Sequence, residues 1–271
     1  MTSPPPPDLF ARRVCLQLPN MDAVTVRRDI RYASDAGNPL LMDLYEPEGE
    51  SPPGGWPAVV IVTGYSGARP PQPGAPPYKS TGWAVSTAQL IARSGLAAIA
   101  YTSLDPGSDL RRLLAYIRTE AAALHVDASR HGILAVSGNV PTALAALARD
   151  AAHPPACCVF SYGCLLDLDG ATDVAEAAGQ FGFSNPLAGA SVADLRSDVP
   201  MLIVRAGRDQ FPAMNASIDR FVAHALAANL PISLINYAAG SHAFDLFDGS
   251  DAARSVLRQQ LAFLRDCLPT G

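Results

Sequence analysis

From Ala58 onward the chain repeats one alternation, a short apolar run followed by a longer stretch with helical spacing. The runs are Ala58–Val62, Leu96–Tyr101, Gly132–Val136, Ala156–Tyr162, Met201–Arg205 and Ile232–Tyr237. Ala58–Val62, Leu96–Tyr101 and Gly132–Val136 are continuously apolar, which suits strands covered on both faces. Between and after them Trp83–Arg93, Ser108–Leu124, Thr142–Ala148, Asn215–Asn229 and Asp251–Cys267 read as helices, with Ser108 placed to cap its own. Such an order predicts an α/β protein with a mostly parallel sheet, helices on both faces, and ligand binding beyond the C-terminal strand ends. Upstream, Thr25–Tyr32 and Leu40–Glu46 alternate polar and apolar residues around Gly37-Asn38-Pro39. That pattern predicts an edge hairpin and brings the expected sheet to eight strands.

At 271 residues, with no internal repeat and no dividing linker, residues 25–271 are expected to form a single domain behind a partly disordered lead-in, 1–24. A net charge of −5 without a basic stripe argues against nucleic acid as a partner. No apolar run approaches the length of a membrane span. Five cysteines, odd in number and without metal-ligand spacing, read as reduced and mostly buried. The opening residues lack the basic region and apolar core of a secretory signal, so a cytoplasmic setting is expected.

The join between the strand Gly132–Val136 and the following helix carries the first chemical candidate, Ser137. A strand that turns into a helix within a few residues needs small or left-handed-tolerant residues, and Ala135, Gly138 and Asn139 are of that kind. Pro141 suits a first helical turn. The turn would push the Ser137 hydroxyl out at the sheet edge and aim the Gly138 N–H at whatever the serine attacks. A serine after a strand is by itself a turn or cap residue, so its partners decide.

A nucleophilic serine needs a base, and the base needs an orienting acid. Of the five histidines, His125 ends a helix, His131 precedes the strand Gly132–Val136, His153 lies in a proline-flanked loop and His224 is inside a helix. His242 alone follows a strand in a glycine-containing loop, Ala238-Ala239-Gly240-Ser241-His242. Asp209 follows the strand ending at Arg205 in the same way, with Asp245 and Asp248 as fallback acids. The resulting chain order is Ser137, Asp209, His242.

These features resemble the dienelactone-hydrolase and carboxylesterase branch of the α/β-hydrolase superfamily. The likeness is carried by Leu41-Met42-Asp43-Leu44-Tyr45-Glu46-Pro47, Ala135-Val136-Ser137-Gly138-Asn139, Val199–Val204 leading to Asp209, and Gly240-Ser241-His242-Ala243-Phe244-Asp245. Ala135 and Asn139 stand where the superfamily elbow carries glycine, and serine stands where true dienelactone hydrolases carry cysteine. The resemblance implies an α/β-hydrolase fold and a serine hydrolase of carboxylic esters, working without metal or organic cofactor. It also implies an oxyanion hole from the Gly138 N–H and a donor in the turn Thr63-Gly64-Tyr65-Ser66, with Tyr65 first and Ser66 next.

Gly163–Asp198 is the sizeable insertion near the expected site and is too short for a large helical cap, which suits a small or short-acyl ester. Phe181, Phe183 and Leu187 could wall that site, as could the proline-rich segment Arg69–Lys79. Arg69, Lys79 or Arg208 could attract an acidic substrate, although each also reads as an ordinary solvated cation. An alternative function is a hydrolase-shaped binding protein that no longer turns over. Among enzymes, thioesterase and serine peptidase share the same chemistry.

Overall fold

Eight strands form one sheet: β1 (Thr25–Asp35), β2 (Asn38–Glu46), β3 (Trp56–Val62), β4 (Ala97–Tyr101), β5 (Val126–Val136), β6 (Cys157–Ser161), β7 (Met201–Ala206) and β8 (Ile232–Tyr237). The structure is a computed structural model that describes residues 9–35, 37–64 and 76–270. The strand order is β1-β2-β4-β3-β5-β6-β7-β8. The hairpin β1/β2 and the pair β2/β4 are antiparallel, and every pairing from β4 through β8 is parallel. The helices are α1 (Gly82–Arg93), α2 (Pro106–Thr119), α3 (Ala121–Leu124), α4 (Val140–Leu144), α5 (Asp173–Phe181), α6 (Pro212–Ala227), α7 (Phe244–Phe247) and α8 (Asp251–Cys267).

Alternate residues of one strand serve opposite cores, as the period of two requires. On β3, Val60 packs with Ile99, Ile133, Phe160 and Ile203 under α2, α4 and α6. Its neighbours Val59 and Ile61 pack with Ala98, Leu134, Val159 and Leu202 under α1 and α8. α8 presents Ala253, Val256, Leu257, Gln260, Leu261 and Leu264 to that second core, a stripe at three- and four-residue spacing. Residues 9–24 also join it: Val14, Leu16 and Met21 are buried, and the Val14 N–H donates to Ser86 Oγ at 2.9 Å. From Val14 to Val24 the chain therefore covers apolar surface rather than trailing from it.

Several local expectations shift. β5 starts at Val126, not Gly132, so His131 lies inside the strand, buried, with its Nδ1 2.9 Å from the Ala128 carbonyl oxygen. A register break between Trp56 and Ala58 absorbs the polar stretch before it. Ser108 does not cap α2; Asp105 holds that position, and Ser108 Oγ donates to its carboxylate at 2.7 Å. The buried Asp109 carboxylate instead accepts the Leu104 and Asp105 N–H groups at 2.8 and 2.9 Å. The expected helix Thr142–Ala148 is shorter and earlier, α4 flanked by 3-10 turns at Ser137–Asn139 and Ala145–Leu147. The expected irregular stretch 163–198 contains α5. α6 starts at Pro212, where a proline costs no hydrogen bond.

Candidate active site

Ser137 follows directly on β5 with φ at +56°, left-handed backbone that costs an L-residue roughly 1–2 kcal/mol. The expected accommodation by Asn139 does not occur, because Asn139 has φ at −97° and the serine itself takes the strained conformation. Neighbouring strands make the room. A Cβ on Gly64, just past β3, would lie 2.6 Å from Ser137 Cβ, and one on Gly163, past β6, would lie 2.4 Å from the Ser137 carbonyl oxygen. Pro141 falls in the first turn of α4 as expected.

The structure brings Ser137, His242 and Asp209 together. Ser137 Oγ is 2.8 Å from His242 Nε2, and His242 Nδ1 is 2.8 Å from Asp209 Oδ2. Because a carboxylate only accepts, Nδ1 is the protonated nitrogen and the Nε2 lone pair faces the serine hydroxyl. The Asp209 side chain is fully buried and also accepts the Phe211 N–H at 2.9 Å. Backbone bonds tie the two loops that carry acid and base: Gly207 N–H donates to Tyr237 O, and Arg208 N–H to Gly240 O, both at 2.8 Å. His242 N–H donates to Gln210 Oε1 at 3.2 Å. The imidazole stands edge-on to Tyr162 and Phe211, with centroids 5.0 and 4.8 Å away. This arrangement can pass a proton from Ser137 to His242 while Asp209 fixes the ring.

The fallback acids are otherwise engaged. Asp245 is buried, and its oxygens accept from Trp83 Nε1 at 2.6 Å and the Tyr162 hydroxyl at 2.8 Å. Burial pushes its carboxyl above the usual range against those hydrogen bonds. Asp248 accepts from the Tyr237 hydroxyl. His125 caps α3, His153 lies against Arg118, and His224 on α6 lies 2.9 Å from Asp169.

Gly138 is in the first turn of the 3-10 helix, among amides without an intrahelical acceptor. Tyr65 and Ser66, the expected second donors, lie outside the described residues, as does Arg69. Phe183 lies so close to Gly138 that a Cβ there would meet its ring at 2.0 Å. Phe181 bridges Phe183 and Phe211, with centroids 6.1 and 5.8 Å away. Sequence reasoning singled out Phe181 and Phe183 but missed Phe211, whose signal was an aromatic two positions after the candidate acid. Leu187 is elsewhere, packed on the core under α2 and α4. Lys79 is buried, paired with Asp43 at 2.7 Å and Asp29 at 2.8 Å, and so is committed to structure. Arg208 is exposed.

Among the described residues no cluster of His, Cys, Asp or Glu could hold a metal ion, and no helix is long and apolar enough to cross a membrane. The five cysteines are unpaired, and burial pushes the Cys15 thiol to about 11 and the Cys164 thiol to about 12.

No protein-family model and no curated protein sequence matches the chain. Solved structures do. The esterase LipW from Mycobacterium marinum aligns with a TM-score of 0.67 at 18% identity, over 91% of this chain and 83% of its own. The thermophilic esterase Est2 from Thermogutta terrifontis aligns with a TM-score of 0.69 at 17% identity, over 92% and 94%. MGS-M1, an α/β-hydrolase enzyme from a deep-sea metagenome of the Medee basin, aligns with a TM-score of 0.63 at 14% identity, over 90% and 98%. With the sheet order described above, these likenesses define the architecture. The chain has the α/β-hydrolase fold.

Proposed function

We propose that this protein is a serine hydrolase of the carboxylesterase type, cleaving small or short-acyl carboxylic esters. The observation that carries this reading is the unbroken hydrogen-bonded path from Ser137 through His242 to Asp209. The esterase neighbours and the resemblance to the dienelactone-hydrolase and carboxylesterase branch support it. His242 Nε2 takes the hydroxyl proton as Ser137 Oγ attacks the ester carbonyl carbon, and Asp209 stabilises the imidazolium that forms. The carbonyl oxygen becomes an oxyanion held by the Gly138 N–H and a second amide from the turn after β3, with Tyr65 first choice. Collapse of the tetrahedral intermediate breaks the bond to the alcohol, which leaves with the proton from His242. Water then gives a proton to His242 as it attacks the acyl-serine carbonyl; the bond between the acyl carbon and Oγ breaks, His242 returns the proton to Ser137 Oγ, and the acid leaves.

Phe181, Phe183 and Phe211 form the apolar wall that would receive the ester's hydrocarbon part. The five free thiols suit a reducing compartment, which supports a cytoplasmic setting. Hydrolysis of p-nitrophenyl acetate and octanoate by the wild type and by Ser137→Ala tests the reading. Turnover of acetate that vanishes in the variant is expected. Folded wild type that hydrolyses neither ester contradicts it and favours a hydrolase-shaped binding protein. Parallel thioester and peptide substrates separate esterase from thioesterase and peptidase.

A further inference from the structure

His242 needs more than its hydrogen bond to Asp209 to stay aligned with Ser137. A single bond at Nδ1 leaves the imidazole free to swing about the line to the carboxylate, and a misplacement of about 1 Å at Nε2 is enough to cost turnover. Two aromatic rings limit that swing. Tyr162 and Phe211 stand against the imidazole with planes inclined at 69° and 78°.

Tyr162 is fixed at both ends. It is the first residue beyond β6, and its N–H donates to the Val204 carbonyl oxygen on β7 at 2.8 Å. Its φ is +40°, left-handed backbone that a bulky side chain rarely adopts. The neighbouring Gly163 shows how little room there is, because a Cβ on it would lie 2.4 Å from the Ser137 carbonyl oxygen. At the far end of the ring the hydroxyl donates to Asp245 Oδ1 at 2.8 Å. Asp245 is itself held, with Oδ2 accepting from Trp83 Nε1 and its backbone carbonyl from the Cys15 N–H, both at 2.6 Å. Since Asp245 lies three positions after His242, the Tyr162 ring spans from the end of β6 to the element that follows the base.

A phenylalanine would fill this space without burying a hydroxyl. Tyr162 at 2% exposure and Asp245 at 3% instead bury a polar pair, and the bond between them admits one orientation of the ring. Backbone strain of this kind persists where the surrounding structure over-determines it, and here the strained residue touches the base. We infer that Tyr162 is a positioning residue for His242, with Asp245 as the anchor that sets it. This inference rests on the serine-hydrolase reading. Tyr162 restrains the imidazole on one flank as Phe211 does on the other, so that Nε2 faces Ser137 Oγ when the proton moves. Ground-state binding of an ester does not need that alignment, so its loss falls on kcat rather than on KM.

The test compares Tyr162→Phe, which keeps the ring and removes the anchor, with Tyr162→Leu, which removes both. Active sites are titrated, p-nitrophenyl acetate kinetics are measured, and the Nδ1 proton of His242 is followed by low-field proton NMR, identified by its loss in His242→Ala. Per titrated site, kcat is expected to fall by about 3- to 10-fold in Tyr162→Phe and by about 100-fold in Tyr162→Leu, with KM changed by less than about 3-fold. The Nδ1 proton resonance should broaden in both variants, more so in Tyr162→Leu. A merely structural role would lower the titrated fraction and leave kcat per site and the resonance unchanged, and that result overturns the inference while the serine-hydrolase reading stands. If folded wild type hydrolyses no ester, it is that reading which fails. The resonance then tests the restraint on the imidazole by itself, and an unchanged signal in Tyr162→Leu refutes it.

Discussion

Ser137 Oγ lies 2.8 Å from His242 Nε2 although 105 positions separate them in the chain. Three strand ends, those of β5, β7 and β8, converge to place Ser137, Asp209 and His242. Parallel pairing explains why, since it brings the C-terminal ends of non-consecutive strands to one edge.

The Asp209 carboxylate both orients His242 and selects its tautomer, so Asp209→Asn should leave the fold intact while presenting the wrong ring nitrogen to Ser137. A fall in kcat of about 10^4-fold is expected, with thermal unfolding near wild type. Loss of less than about 10-fold would show that the aspartate is not the orienting acid.

Phe183 covers one side of the elbow, so its removal should enlarge the acyl site. Phe183→Ala is expected to raise the ratio of kcat/KM for octanoate over acetate by about 10-fold, the scale of one to two well-buried methylenes. An unchanged ratio across p-nitrophenyl esters from acetate to octanoate would remove Phe183 from the acyl wall.

Lys79 is buried between Asp43, itself wholly inaccessible, and the exposed Asp29. Lys79→Met would leave Asp43 with the Asp29 N–H at 2.9 Å and, as its cationic partner, the longer Arg28 contact at 3.5 Å. Breaking one partner of such a pair costs ~3–5 kcal/mol, and urea unfolding should report a loss towards the lower end because Asp29 is solvated. A loss below about 1 kcal/mol would mean that water or Arg28 replaces the lysine.

Burial raises the Asp245 carboxyl above its ordinary value of 3.8. The folded protein therefore holds this proton more tightly than the unfolded chain does. Its contribution to stability is full below the unfolded value and is lost as pH rises through the folded one. Asp245→Asn removes that titration. The difference in unfolding free energy between wild type and variant should thus fall with rising pH from about pH 4 and then level off. Urea titrations between pH 3.5 and about 7.5 check this; a difference that rises over the window would mean that the Trp83 and Tyr162 hydrogen bonds outweigh burial.

The central parallel strands were legible because strands covered on both faces must be continuously apolar, as Ala58–Val62 and Met201–Val204 are. The first half of β5 was not, because Asp127, Ser129 and Arg130 carry loop-like polarity into a strand that a bulge accommodates. The positions of Ser137, Asp209 and His242 were readable because each follows a strand end in a short glycine-containing stretch. The Asn139 to Thr63 bond was not readable, since a side-chain donor meeting a carbonyl 76 positions away leaves no periodic trace. Phe211 was missed for a related reason: its place against His242 depends on how the Asp209 loop turns. Lys79 looked like a free cation because the β1 and β2 carboxylates that neutralise it lie far upstream.

The most direct test of the central claim is to treat the folded protein with a fluorophosphonate and map the adduct by peptide mass. The account predicts one phosphonyl group on Ser137, absent in Ser137→Ala, much slower to form in His242→Ala, and matched by loss of ester turnover. No adduct on folded wild type, or an adduct on another residue with turnover intact in Ser137→Ala, would contradict it.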